Sequence, residues 1–316
     1  MGNNDSGANY GIRAGGNIGN ISKIRHSFTS GGQENAHRDA PTSGESRDRS
    51  GGSGQQTPPV DIAVLTVLSP EMQAMIEVFQ RAADHRRPAP SDERRIHQAT
   101  FTTPHGRLSA VLMQTMDRNQ RSAATAYAFL RQVYRPRIVA LVGIAGGINE
   151  RVDVGDVVIA DQVVYYDERR EAADGTYRRG EATAVPARMS LSLSDLFSNR
   201  GEPFVLPSVQ TRSFFTVVRG PIGSGGAVVT DQASDIRVYL QSFHEKCLAV
   251  ETEAGGLVQA FREDLDASPD AVSWVVIRGV SDHADAAKGH RDHDLAARHA
   301  GVAFESLLPF LGHPSV

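Results

Sequence analysis

Four carboxylates stand directly after apolar, strand-like runs, where an acid is costly to bury unless its charge is used. Glu251 and Glu253 follow Leu248-Ala249-Val250 and precede Gly255 and Gly256. Glu71 stands just past VDIAVLTVL (60–68), and Asp282 closes WVVIRGVSD (274–282). Groups so placed can move a proton or stabilise a developing positive charge. Each also has a plainer explanation: Glu71, in the first turn of a helix opened by Ser69-Pro70, favours the helix dipole whether or not it does chemistry. Strand alternation would put Glu251 and Glu253 on one side and Thr252 on the other, unless a strand-to-helix turn breaks the pattern.

Two arginines suit an anionic ligand. Arg118 and Arg121 stand at the start of the small-residue helix QRSAATAYAFLRQVY (120–134), and a helix start is itself favourable for phosphate. Arg169, Arg170, Arg178 and Arg179 read as a solvated surface run. The glycine loop VGIAGGI (142–148) is neither G-x-G-x-x-G nor a P-loop. Around Ala145 and Gly146 it allows either a tight turn or close approach of backbone N–H groups to a ligand. The stretch SDHADAAKGHRDHD (281–294) gathers histidines and aspartates, but its spacing matches no zinc pattern. Neither a metal nor a cofactor is expected.

The elements that must hold these groups alternate in period from Val60 onward, which predicts an α/β domain with a sheet buried on both faces. Strands are expected over 60–68, 107–115, 137–147 and 155–167, in the run SFFTVVRGPIGSGGAVV before its glycine-rich turn, and in the runs leading to Glu251 and Asp282. Helices are expected over 69–84, capped by Ser69, and over 120–134, 231–243 and 292–308. Residues 168–211 lack periodicity and read as a long excursion. Polar and glycine-rich segments follow the strands, as where ligands bind at the carboxyl ends of an open sheet.

Composition divides the chain. Residues 1–58 hold 12 of the 30 glycines and seven large apolar side chains, too few to form a core, so they read as a disordered low-complexity tail before a domain at 59–316. The tail's segment 12–32 has spaced isoleucines among Asn and Gly; it reads as a flexible linker, with a cross-β assembly or recruitment motif for a signalling partner as the alternative. A formal net charge of −4 gives no basic footprint for nucleic acid. The single cysteine, Cys247, excludes an intramolecular disulfide and fits a reducing compartment. With no apolar run near the roughly 20 residues a bilayer requires, a cytoplasmic protein without membrane contact is expected.

In order, VLTVLSPEMQAM, LVGIAGGI, GDVVIADQV, GPIGSGGAVV, AVETEAGG and VVIRGVSDHAD resemble the nucleoside phosphorylase and nucleosidase superfamily over about residues 60–310. The likeness is to its methylthioadenosine/S-adenosylhomocysteine nucleosidase branch and to relatives in bacterial conflict and anti-phage proteins. It implies a three-layer αβα sandwich around a mixed twisted sheet, a homo-oligomer, and hydrolysis of the N-glycosidic bond of a purine nucleoside or nucleotide, ATP included. By that resemblance Glu71 activates water, Glu253 holds the ribose hydroxyls beside Glu251, and Asp282 with Ser281 supports protonation of the base. Arg278 matches the arginine before the Val-Ser-Asp step, and Val228 and Val229 stand where the base packs. Three positions depart from the family pattern: Thr252 for methionine, Ile144 for a hydroxyl residue and Val228 for an aromatic. Leu141 occupies the place of the phosphate-binding arginine of the phosphorylases, which favours hydrolysis over phosphorolysis.

Overall fold

The computed structural model describes residues 57–89, 94–208, 210–211, 213–267, 273–285 and 292–311. The tail reading, its segment 12–32 included, falls outside them but for residues 57 and 58, and part of the His/Asp-rich stretch does so too.

The first strand, β1 (Ile62–Thr66), is buried at every position, which is why its sequence is a continuous apolar run and not an alternating one. Helix α1 (Ser69–Gln80) follows and turns Met72, Met75 and Phe79 inward. A hairpin of β2 (His97–Thr103) and β3 (Gly106–Gln114) comes next, its first strand unforeseen because its burial alternates but HQATFTT puts a polar histidine and only two apolar side chains on the inward face. Then come α2 (Gln120–Tyr134), β4 (Ile138–Gly147) and β5 (Val157–Tyr165).

The stretch expected to be an irregular excursion is ordered: β6 (Arg169–Ala172) and β7 (Gly175–Arg178) pair as an exposed hairpin, β8 (Glu181–Ala184) pairs with β5, α3 (Ala187–Arg200) packs on the domain, and β9 (Phe204–Pro207) pairs with β10 (Phe214–Ser224). These pieces are four to fourteen residues long, too short or too polar for a clear period. The chain closes with α4 (Asp235–Phe243), β11 (Ala249–Glu251), α5 (Ala254–Ala267), β12 (Ser273–Asp282) and α6 (His293–Leu311).

The large sheet runs β11-β10-β5-β12-β4-β1-β3-β2, with parallel and antiparallel neighbours. Helices α1, α3 and α6 pack together, and α2 packs with α5, giving the two helical layers of an αβα sandwich. One pairing goes beyond the expected open sheet. Val250 of β11 pairs antiparallel with Gly146 of β4, so β4, β12, β5, β10 and β11 close into a ring. Closure brings the ends of β10 and β11, which run opposite to β4, against the end of β4. Loops from two strand directions therefore converge on one place.

Candidate active site

The cavity at this convergence holds about 200 Å³ and is walled by residues after five strands: Glu71 after β1, Ile144 to Gly146 at the end of β4, Val228 and Val229 after β10, Thr252 and Glu253 after β11, and Ser281 at the end of β12. The turn after Glu251 ends the strand and breaks its alternation, so Thr252 faces the same cavity as both glutamates.

Glu71 is 2% exposed. Its Oε2 accepts from the N–H of Val67 at 2.7 Å and of Leu68 at 2.8 Å, and its Oε1 from the N–H of Ile144 at 2.9 Å. The Leu68 contact corrects the expected cap: Leu68, not Ser69, is the N-cap residue, and the side chain that satisfies it is that of Glu71. One carboxylate thus closes a helix end and is clamped to β4. Burial pushes its carboxyl above the ordinary value, while Arg278 and the three N–H groups pull against that.

Behind the acids lies Arg278, wholly buried and absent from the cavity surface. Its Nη2 bonds the Oε2 of Glu251 and lies 3.3 Å from that of Glu253, and its Nη1 is 3.9 Å from Glu71 Oε1. Burial acts to lower this guanidinium, but Glu251, Glu253 and Glu71 outweigh it and raise it further. Gly143 makes the arrangement possible, since a Cβ there would overlap both Arg278 Nη1 and Glu71 Oε1.

Glu251 and Glu253, two residues apart, behave differently. Glu251 accepts from the N–H of Glu253 at 3.1 Å and of Ala254 at 3.0 Å, capping α5 while bonded to Arg278. Glu253 receives the Thr252 hydroxyl at 2.5 Å. Burial, and after it the charge of Glu251, push the Glu253 carboxyl up to about 7, against the opposing pull of Arg278.

Asp282 is 6% exposed behind the wall formed by Gly146 and Ser281. Its Oδ2 accepts from Ser281 Oγ at 2.8 Å and its Oδ1 from the Ala284 N–H at 2.9 Å. A bulge between Val280 and Asp282 breaks the register with β4, and Ala284 adopts φ 50°, the left-handed region that a side chain normally avoids. Gly146 permits the contact, because a Cβ there would meet Ala284 Cβ at 2.9 Å and Asp282 Oδ1 at 3.0 Å. Glu71 is thereby fixed at residue 144 and Asp282 at residue 146 of one strand, a spacing of roughly 7 Å along it.

The two candidate arginines part company. Arg118 lines this cavity; Arg121, on the α2 helix, lines a separate groove with Tyr165, Gly255 and Arg262. Sequence reading missed His293, the first residue of α6, which lines the cavity after being counted only in the histidine and aspartate run. Its position at a helix start after a polar turn was the available signal. Among the described residues no three His, Cys, Asp or Glu side chains gather as a metal site, and no helix is long and apolar enough to cross a membrane.

Fold and site together place the chain among α/β proteins of the nucleoside phosphorylase fold. The profile of the phosphorylase superfamily matches residues 61–308, and the chain belongs to that superfamily. Among curated relatives, the ATP nucleosidase Cap17 of Escherichia coli (strain KTE188) is 24% identical over 257 residues, covering 76% of this chain and 49% of the relative. The chain therefore spans about half the length of that protein. A 5′-methylthioadenosine/S-adenosylhomocysteine nucleosidase of Geobacillus sp. (strain WCH70) is 28% identical over 219 residues, 69% of this chain and 82% of the relative. Among solved structures, the corresponding nucleosidase from Colwellia psychrerythraea 34H, in complex with adenine, superposes with a TM-score of 0.62 at 21% identity, covering 80% of this chain and 96% of that one. The futalosine hydrolase of Helicobacter pylori gives 0.60 at 16%, with 80% and 97% covered.

Proposed function

We propose that the domain hydrolyses the N-glycosidic bond of a purine nucleoside or nucleotide and releases the free base. The observation that carries this reading is the pair Glu71 and Asp282, held two residues apart along the end of β4, Glu71 on the wall of the cavity and Asp282 directly behind Gly146 and Ser281, with Glu253 on the same wall after β11. Cleavage of such a bond passes through a cation-like sugar, and carboxylates near the ring stabilise it. Glu71, clamped by three N–H groups, orients and deprotonates the attacking water. Glu253, steadied by Thr252, takes the ribose hydroxyls, and Glu251 holds Arg278 and the α5 start so that Glu253 is presented. Ser281 and Asp282 favour protonation of the leaving purine, which packs against Val228 and Val229 beside Ala145 and Gly146. Leu141 is wholly buried in the core, so no cation stands there for inorganic phosphate, which supports water as the nucleophile.

Adenine as the base is supported by the similarity to Cap17 and to the methylthioadenosine nucleosidases. Arg118 on the cavity wall supports a phosphorylated substrate, ATP among the candidates, and with it a nucleotide-depleting defence role; Arg121 lends that reading nothing from its separate groove. Assembly as a homo-oligomer and a cytoplasmic setting are parts of the same proposal, with the tail as a flexible linker and a recruiting role as its alternative.

The test is a chromatographic assay of base release from adenosine, methylthioadenosine, AMP and ATP, with and without phosphate. Release should be independent of phosphate and should fall by ~10²–10⁴-fold in Glu71→Gln. Release that requires phosphate, or that persists in this variant, defeats the reading. Cleavage of methylthioadenosine with AMP and ATP untouched removes the nucleotide assignment alone.

A further inference from the structure

The wall of the cavity after β10 is not a self-supporting loop. Gly226, Ala227 and Val228 are exposed in succession, with Val228 at 64%, and they lie between the end of β10 and the buried Val229. Such a segment, with little apolar contact of its own, would sample many conformations unless something held its peptide groups.

Two adjacent side chains do so. Tyr166, wholly buried, donates its hydroxyl to the Ala227 carbonyl at 3.1 Å, and its own N–H bonds the Ser224 carbonyl at 3.1 Å. Asp167 accepts the Gly226 N–H through Oδ2. Gly225 lies flat on the Tyr166 ring, where a Cβ would overlap ring atoms and approach Asp167 Oδ1 to 2.8 Å, and its N–H bonds the Glu251 carbonyl at 3.2 Å. Val229 packs in the same apolar cluster as Tyr166. Burial, with the charges of Asp167 and Glu251, pushes the Tyr166 phenol up, so it remains a donor. The dipeptide is itself fixed from the exposed hairpin: Arg178 bonds the Tyr166 carbonyl at 3.3 Å, and the Arg179 N–H bonds the Glu168 carbonyl at 2.7 Å.

We propose that Tyr166 and Asp167 are positioning residues that set the wall on which the substrate's base rests, acting through Ala227 and Gly226 on Val228 and Val229. This rests on the purine-cleaving reading above. Val228 is a small side chain on an exposed loop, so the wall's shape comes from where its backbone is tied and not from the bulk of a stacked ring. The tether therefore governs substrate affinity and base preference more than the bond-breaking step, which belongs to Glu71 on α1, Glu253 after β11 and Asp282 at the end of β12.

Steady-state kinetics of base release separate these roles. Tyr166→Phe removes the hydroxyl and keeps the ring under Gly225; Asp167→Ala removes the acceptor. Both should raise KM about tenfold or more, the equivalent of about 1.4 kcal/mol, with kcat within about threefold of the parent. Asp167→Asn, whose amide oxygen still accepts the Gly226 N–H, should recover most of the affinity. The ratio of adenine to guanine release should shift in the first two variants and return in the third. Unchanged KM in both tether variants, or kcat falling with KM fixed, overturns the proposal. Absence of base release from the parent protein would instead sink the functional reading on which it stands.

Discussion

At the Glu71 end of the cavity, three carboxylates share one wholly buried guanidinium, and each is also bonded to a neighbouring N–H or hydroxyl. At the Asp282 end the acid is bonded by a serine hydroxyl one residue before, which also reaches the Ala145 carbonyl of β4 at 3.3 Å, and by an N–H two residues after. The first end is a long-range network in which charge neutrality and geometry are the same problem. The second is a turn laid against the end of β4, with no shared counter-ion in its hydrogen bonds to Ser281 and Ala284. Removing one member should unsettle all of the first, whereas the second should lose only what the removed group supplied.

The largest test of that contrast is Arg278→Met. It leaves Glu71, Glu251 and Glu253 buried without their counter-charge, and breaking a buried ion network costs about 3–5 kcal/mol. Urea unfolding should show a loss of that size, together with loss of base release. A variant as stable as the parent would mean that the three acids do not depend on the guanidinium.

Glu253 gives a pH-gated test. Its carboxyl is raised from 4.5 to about 7 in the folded state, so the native protein binds that proton more tightly than the unfolded chain. Stability from this group is then fully present below about pH 4.5 and is lost as pH rises toward 7 and beyond. Glu253→Gln has no proton to lose. The difference in melting temperature, variant minus parent, should climb between pH 4.5 and 7 and level off above it. A flat difference would show that burial does not hold the proton.

The smallest effect is expected from Ser281→Ala, which removes one hydrogen bond from Asp282 and leaves that of Ala284. A loss of about 0.5–1.5 kcal/mol on unfolding is predicted. A loss as large as that of Arg278→Met would erase the distinction between the two ends.

How much of this was legible follows the range of the forces involved. The buried runs of β1 and β12 announce central strands, and acids directly after such runs stand out because burial without use is costly, so Glu71, Glu251, Glu253 and Asp282 were visible from their neighbours alone. The α2 helix matched its expected span because its caps and period are local properties. The β6–β7 hairpin and α3 were not legible, being short or exposed pieces whose order comes from what they pack against. Arg121 looked equivalent to Arg118 because both stand at a helix start, yet a few residues around the first turn carried it to another groove.

Residue types and local pattern alone thus determined the helices and strands with clear periods and the acids able to do chemistry, while the ordered motifs carried the resemblance to the family. Tertiary structure decided the rest: closure of β11 on β4, the burial of Arg278 among three glutamates, the passage over Gly143 that lets it reach Glu71, and the tie from Tyr166 and Asp167 to the loop after β10. The physical reason is that a proton affinity such as that of Glu253 depends on burial and on charges brought close through space. Glu251 is a near neighbour in the chain, but Arg278 and Glu71 come from other segments, and only the folded sheet sets their distances and the burial that all of them share.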